Sequence, residues 1–235
     1  ASDVYKRQHM LRAGYPRYGA HVDDSTSYQV YNNITEADST TTAVKETYGQ
    51  MIFTDEGTVA NTYYYSTSCG VGTTAKIWKT AEAQMLDYLK SSRLCPENLA
   101  QTDDGAVAAG STEITAETTA EGLSEEETFR DFITKTHAED YEAQEGWYRW
   151  TYTVKEIDVD RMFETLKKRY EANGKLILTL KDGDYCSQDI KTFSKVTDIT
   201  IIKRGPGGVA DELVIATDKG TYKIISEYNI RAVLC

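Results

Sequence analysis

From Tyr18 onward short apolar stretches alternate with turn residues, the pattern of strands joined by tight loops. SYQVYNN, residues 27–33, alternates, so that in extended backbone Val30 faces away from Gln29 and Tyr31. STTTAVKETYG predicts a short helix, with Ser39 or Thr40 as N-cap, Ala43, Val44, Thr47 and Tyr48 on one face, and Gly49 as the stop. GQMIFT and TVANTYYYSTS flank Asp55-Glu56-Gly57, which predicts a hairpin with Gly57 at positive φ. After Trp78, Thr80 is placed to cap a helix whose Met85, Leu86 and Leu89 share a face, closed by Cys95-Pro96. Further on, Ser124 and Glu127 have capping-box spacing ahead of Phe129, Phe132 and Ile133, and WYRWTYTV (147–154) reads as a strand. Asp158 or Asp160 opens a helix with Val159, Met162, Phe163, Leu166 and Tyr170 on one stripe, closed by Asn173-Gly174. LILTL, TDITIIKR, ELVIATD and TYKIIS predict further strands, joined by the GPGG at Gly205–Gly208 and by Asp218-Lys219-Gly220. The expected class is α+β with the β part dominant, and no internal repeat is present.

Composition narrows the function. The 26 Lys and Arg against 37 Asp and Glu give a net charge of −11, which repels phosphate backbones and anionic lipids, so nucleic acid is not an expected partner. The 235 residues, 40% hydrophobic, suit one large domain or two small ones, and no apolar run approaches the ~20 residues that span a bilayer. Seventeen tyrosines offer flat apolar faces with hydrogen-bonding tips, which fit strands and sugar binding alike. Between Gln101 and Glu127 stand eight acidic residues and five threonines, with no lysine, arginine or aromatic residue. Such a stretch cannot offset an ordering entropy of ~1–2 kcal/mol per residue, so a disordered acidic insertion is expected there. Cys69, Cys95, Cys186 and Cys235 make no C-x-x-C pair; they allow three full disulfide pairings that the sequence does not separate. The opening ASDVYKRQ has no apolar h-region, so it does not read as a signal peptide.

Candidate chemistry is sparse. STSCG (66–70) lacks the G-x-S-x-G spacing of a nucleophile elbow, and Cys69 as a nucleophile would need one of His9, His21 or His137, all distant in sequence. His21, Asp23 and Asp24 come closest to a metal cluster, but an Asp pair ahead of Ser-Thr also makes an Asx turn. Cleavage of a glycosidic bond needs carboxyl groups tuned by their surroundings, and no spacing rule singles one out among so many acids.

Six segments nevertheless occur in a set order: VDDSTSYQVYNN (22–33), TTAVKETYGQMI (41–52), YYSTSCG (64–70), IW (77–78), YRW (148–150) and YNIRAVL (228–234). In this order and spacing they resemble the stage II sporulation protein D family, whose domain is shared with amidase-enhancer proteins. The resemblance covers about Gln8 to Cys235 apart from the insertion. It implies two lobes around a glycan cleft: a first lobe over 8–98, the insertion over 99–123 and a second lobe over 124–235, with residues 1–7 a leader foreign to the family, an artefact or scar.

The implied activity is that of a peptidoglycan lytic transglycosylase of sporulation, acting in engulfment at the cell envelope, outside the cytoplasm. One glutamate protonates the oxygen between N-acetylmuramic acid and N-acetylglucosamine, then accepts the C6 hydroxyl proton as a 1,6-anhydro ring closes, without water or any cofactor. The implied partners are denuded glycan strands, the amidase stage II sporulation protein P, and stage II sporulation protein M. That glutamate lies in a PEALKAQA-x-ART type of segment upstream of what aligns with His9-Met10-Leu11, and a GHGVGMSQ-type stretch follows the IR-x-x-L motif, expected as a closing strand. Neither occurs here, so the chain is expected to be a fragment, trimmed at both ends and without a catalytic residue. Substrate binding is implied for Gln29, Tyr65, Ser66, Thr67, Ser68 and Trp78, where amides and hydroxyls read sugar substituents and aromatic rings stack on sugar faces; packing roles for the aromatics and turn-capping for the serines stay open. Val22 and Tyr28 stand where some members have zinc-binding cysteines, so no metal site is expected. A non-catalytic glycan-binding or amidase-enhancing module is the alternative.

Overall fold

The computed structural model describes residues 2–10, 14–25, 28, 33–96 and 122–234. Gln29, nearly all of the strand predicted over 27–33 and most of the acidic insertion lie outside the described residues. The chain is α+β and divides into two compact units, Ala1–Ser66 and Thr67–Cys235.

The first unit holds helices α1 (Ser2–Met10) and α2 (Asp38–Glu46). Val4 of α1 is buried, and the Gln8 amide is buried with all its bonds made: Nε2 donates to the carbonyls of Ile52 (2.8 Å) and Ala60 (2.7 Å), and Oε1 accepts from Ile52 N (2.8 Å). That amide explains why the predicted hairpin is reduced to one bridge, Phe53↔Val59, around a turn with Gly57 at φ 77°. The N–H of Ile52 is bonded to Gln8, so it does not extend a ladder. Helix α2 starts just before the predicted caps, with Ala37 as N-cap and no side-chain cap bond, and it buries none of its residues.

The second unit is built on a five-stranded antiparallel sheet: β1 (Ile177–Lys181), β2 (Asp184–Cys186), β3 (Val196–Arg204), β4 (Ala210–Thr217) and β5 (Thr221–Ile225), in the order β2-β1-β5-β4-β3. Alternation places Leu213 and Ile215 of β4, Tyr222 and Ile224 of β5 and Ile177 of β1 on one buried face. Met162 and Leu166 of α4 (Val159–Ala172) and Ile230 and Val233 of α5 (Glu227–Leu234) complete that core. Asp158 caps α4 as expected, accepting from Arg161 N at 3.0 Å.

Four sequence expectations are corrected. YNIRAVL is a helix, because Asn229, Ile230 and Val233 bury one face at a spacing of three to four residues and the chain turns at Ser226 (φ 79°). The Asn229 side chain locks it in place, accepting from Arg169 Nε of α4 at 2.7 Å and donating to Ile225 O at 2.8 Å. WYRWTYTV is a turn and irregular extended chain: Trp147, Trp150 and Tyr152 are exposed while Tyr148 is buried, and Arg149 donates to the carbonyls of Lys135 and Cys69. Only a turn of 3-10 helix, Glu82–Met85, follows Thr80, whose Oγ1 accepts from Ala83 N (3.1 Å). Finally, α3 (Glu126–Thr134) makes no capping box, since Ser124 ends a separate 3-10 turn (Gly122–Ser124) and the N-cap falls on Glu125 with no side-chain cap bond; Arg204 and Arg130 bind the Glu126 carboxylate in its first turn.

The GPGG linker does more than join β3 to β4. Thr73 Oγ1 donates to Pro206 O (2.7 Å), Arg204 Nη1 donates to Gly208 O (2.7 Å), and the Arg204 guanidinium lies over the Phe129 ring. Gly208 (φ 78°) passes so close to Phe129 that a Cβ there would sit 1.9 Å from a ring carbon. Gly208→Ala is expected to lower unfolding stability by roughly 1–3 kcal/mol through this clash and the left-handed backbone. Gly146→Ala, which would meet nothing within 4 Å, is expected to be near neutral in the same denaturant titration.

Candidate functional site

In the second unit a polar cluster gathers around Asp140. The antiparallel bridge Val71↔Arg93, flanked by Gly72 N→Ser92 O and Leu94 N→Gly70 O (both 2.9 Å), sets the strand-like segments 69–72 and 92–95 side by side. Leu94 O also accepts from Tyr141 N (3.0 Å), which brings the 137–149 turns against this pair. The Asp140 side chain is fully buried: Oδ1 is paired with Arg93 Nη2, and Oδ2 accepts from the Tyr148 hydroxyl at 2.6 Å. Gly70 (φ 93°) is required here, because a Cβ at that position would lie 1.8 Å from Asp140 Oδ2.

Beside it, Glu142 Oε2 accepts from the Ser68 backbone N–H (2.6 Å) and from the Ser68 hydroxyl, which itself accepts from Gly70 N at 3.0 Å. The Arg149 guanidinium stacks on the Tyr148 ring (3.8 Å to the centroid), and its Nη1 donates to Cys69 O at 3.0 Å. Phe132 anchors the apolar side with Val71 and Leu123; Cys69 packs against this group and His137 stacks on Phe132 at 4.5 Å. His137 Nε2 is 3.2 Å from Phe132 O, so this ring nitrogen is already engaged and is not offered to Cys69 as a base.

Chemically, the cluster holds three carboxylates: Asp140 and Glu142 are engaged as acceptors, and the more exposed Glu139 pairs with Arg93 at 3.5 Å. Asp140 is bound by a guanidinium and a phenol, Glu142 by one serine's N–H and O–H. Groups committed in this way fix segments in place rather than deliver protons. The Tyr148 hydroxyl is correspondingly pushed up to about 12 from its ordinary 10.0, first by burial and then by its bond to Asp140.

The residues expected from the sequence are distributed as follows. Tyr65 and Ser66 belong to the first unit and are exposed; Thr67, Ser68 and Trp78 belong to the second, and Gln29 lies outside the described residues. Ser68 joins the Asp140 cluster through Glu142, whereas Trp78 is half-buried in a separate group with Ala75, Ala83 and Leu86. Next to Trp78, Lys79 (φ 55°) pairs with the buried Asp211 (2.6 Å), which also pairs with Lys203 (3.3 Å); the bond to Asp211 raises the Lys203 ammonium above its usual range. Asp140, Arg93 and Glu142 were not singled out by the sequence, whereas Ser68 and Gly70 stood in the quoted YYSTSCG and Tyr148 and Arg149 in YRW.

In the first unit a cleft of about 240 Å³ is lined by Val4, Arg7, Gln8 and residues 48–51, none of them an expected glycan contact. The Asp23 carboxylate there makes the Asx turn weighed above, accepting from Ser25 N (2.9 Å) and Ser25 Oγ (2.6 Å), and the Tyr15 hydroxyl donates to its other oxygen at 2.6 Å. These bonds hold the Asp23 carboxyl below its usual range. Among the described residues no cluster of His, Cys, Asp and Glu is placed to hold a metal ion, and no helix is long and apolar enough to cross a membrane.

Comparison with known families adds one relation. A family described as a domain of unknown function, DUF8618, matches residues 73–235, and the chain belongs to this family. No curated protein and no solved structure matches the chain.

Tyr148 yields a pH prediction. Because its folded-state pKa is raised, its contribution to stability is complete below pH 10 and is lost as pH rises toward about 12. Tyr148→Phe is expected to be less stable than the parent at pH 7 and to lose less stability between pH 10 and 12. Equal alkaline slopes in urea titrations of the two proteins would refute the buried Tyr148–Asp140 bond.

Proposed function

We propose that the chain is the glycan-holding part of a peptidoglycan lytic transglycosylase of sporulation, working outside the cytoplasm on strands stripped of their stem peptides. Two lobes around a glycan cleft, with the acidic insertion outside it, belong to the same proposal, as do the amidase stage II sporulation protein P and protein M as partners. The supporting observation is that motifs far apart in the sequence pack together within one unit. Arg149 of YRW donates to the carbonyl of Cys69, 80 positions away in YYSTSCG. Tyr148 of YRW donates to the Asp140 carboxylate against which Gly70 lies. The YNIRAVL helix in turn touches the Ala75–Trp78 turn that carries the IW motif. Segments that carry a shared pattern and also share an interior fit one inherited site better than chance matches do.

In this reading Tyr65 and Trp78 offer ring faces to sugars, and Gln29, Ser66, Thr67 and Ser68 supply amides and hydroxyls that read sugar substituents. Ser68 acts by holding Glu142, since its hydroxyl is already committed. The reaction needs one carboxyl group that first gives and then takes a proton. No glutamate of this sequence stands in a segment of the family's catalytic type, and Asp140 and Glu142 are both tied as acceptors. That observation favours a second reading, a non-catalytic glycan-binding or amidase-enhancing module.

Digestion of amidase-treated peptidoglycan by the full-length gene product separates the two. Release of 1,6-anhydro-muramic ends, read by mass spectrometry, is the expected result. Retention on the glycan with no new ends would favour the module, and new reducing ends without anhydro products would contradict the transglycosylase.

A further inference from the structure

We propose that residues 150–154 are an unpaired strand that pairs antiparallel with the same strand of a second copy of this chain, forming a two-fold symmetric dimer. This goes beyond the glycan reading and does not depend on it. WTYTV has the composition of a strand, yet residues 150–158 are all exposed, and among the described residues no backbone hydrogen bond involves residues 150–156. The N–H and C=O groups of such a run are left to water or to another strand. Both ends of the run are anchored. On one side Tyr148 is bonded to Asp140 and Arg149 to the carbonyls of Cys69 and Lys135; on the other, Asp158 caps α4. A run fixed at both ends loses less freedom on pairing than a loose loop does.

The side chains name the partner. In extended backbone Trp150, Tyr152 and Val154 share one side and Thr151 and Thr153 the other. Trp150, Tyr152 and Val154 are 66%, 77% and 56% exposed, so the fold of the single chain gains little from them. About Tyr152 the pattern is the same in both directions: apolar, Thr, Tyr, Thr, apolar. A two-fold axis through Tyr152 therefore sets Trp150 opposite Val154 of the second copy, Thr151 opposite Thr153, and the two Tyr152 rings side by side. Aromatic with β-branched, and Thr with Thr, are favourable cross-strand pairs. The next pair in this register, Arg149 with Lys155, would oppose two cations. Arg149 avoids that contact, because its guanidinium is stacked on Tyr148 and donates to carbonyls of its own chain.

The size of the contact sets its strength. Trp147 lies edge-on to Trp150, with ring centroids 6.4 Å apart, and adds a third exposed ring to the patch. At ~150–250 Å² per aromatic side chain, the rings, Val154 and the paired backbones of two copies reach at best the lower end of the ~1,200–2,000 Å² that specific interfaces bury. The dimer is therefore weak and reversible. Each copy carries a net charge of −11, so the copies repel at long range and added salt favours the dimer.

Sedimentation equilibrium of the full chain is expected to show monomer and dimer in exchange, with the dimer fraction rising with protein concentration and with ionic strength. Tyr152→Pro removes a ladder N–H at a position with no internal bond to lose, and is expected to abolish the dimer while keeping the parent's urea midpoint. Register is read by mild oxidation of cysteine variants and peptide mapping, which does not depend on how the proline variant folds. Tyr152→Cys is expected to link to itself across the axis, where opposed Cα atoms lie ~4.5–5.5 Å apart, within disulfide reach. Trp150→Cys is expected to link to Val154→Cys when the two are mixed, and not to itself. A parent that stays monomeric into the high micromolar range would overturn the proposal and leave the strand to a foreign partner. A Tyr152→Pro dimer as strong as the parent's, or self-linking of Trp150→Cys as efficient as its linking to Val154→Cys, would overturn it as well.

Discussion

A carboxylate with no contact with water governs the arrangement of the second unit. Asp140 is enclosed by segments from three parts of the chain, and an unpaired charge in such a place would cost several kcal/mol or more. The enclosure therefore has to supply a cation and a donor, and it does so with Arg93 from one side and the Tyr148 hydroxyl from the other. It also has to bring backbone close enough to exclude water, which only a glycine at position 70 permits. The turns between His137 and Arg149 make few backbone bonds of their own to regular structure, so this ion pair is what places them.

The rest of the unit transmits that constraint. Gly70 is joined through the Val71↔Arg93 bridge to Gly72 and Thr73, which in turn hold the GPGG linker of the sheet. Arg204 at the end of β3 closes the other side, clamping Gly208, Phe129 and Glu126 together. The Arg204 bond keeps the Glu126 carboxyl below its ordinary range, so this clamp holds down to acid pH lower than a free glutamate would allow. The sheet core of α4, α5, β1, β4 and β5 is conventional in its alternation. The irregular half depends instead on a few charge-assisted bonds at positions where the backbone leaves no room for a side chain.

That division explains what the sequence made legible. Strands β4 and β5 and helix α4 were readable because burial repeats with a period of two or of about 3.6 and Asp158 marks the start of α4. The terminal YNIRAVL carried the helical signal in its Ile230 and Val233 spacing, but its place in a family pattern argued for a strand. WYRWTYTV misleads for a physical reason: aromatic residues favour strands on average, yet here Tyr148 and Arg149 are pulled inward by Asp140 and Cys69 while their neighbours are left exposed. The Arg93–Asp140 pair, 47 positions apart, obeys no local spacing and could not be read from the sequence. Ser68 was legible as a polar residue in a motif; its partner Glu142, 74 positions away, was not.

The central claim is that the Arg93–Asp140 pair, and not the apolar packing around Phe132, fixes this half of the unit. A double-mutant cycle of Arg93→Met and Asp140→Asn, followed by equilibrium unfolding in urea, tests it most directly. Each single change is expected to cost roughly 3–5 kcal/mol by removing its partner's buried counter-charge. The double variant is expected to cost clearly less than the sum, with a coupling above about 1.5 kcal/mol. Two single effects below about 1 kcal/mol that add within about 0.5 kcal/mol would contradict the account.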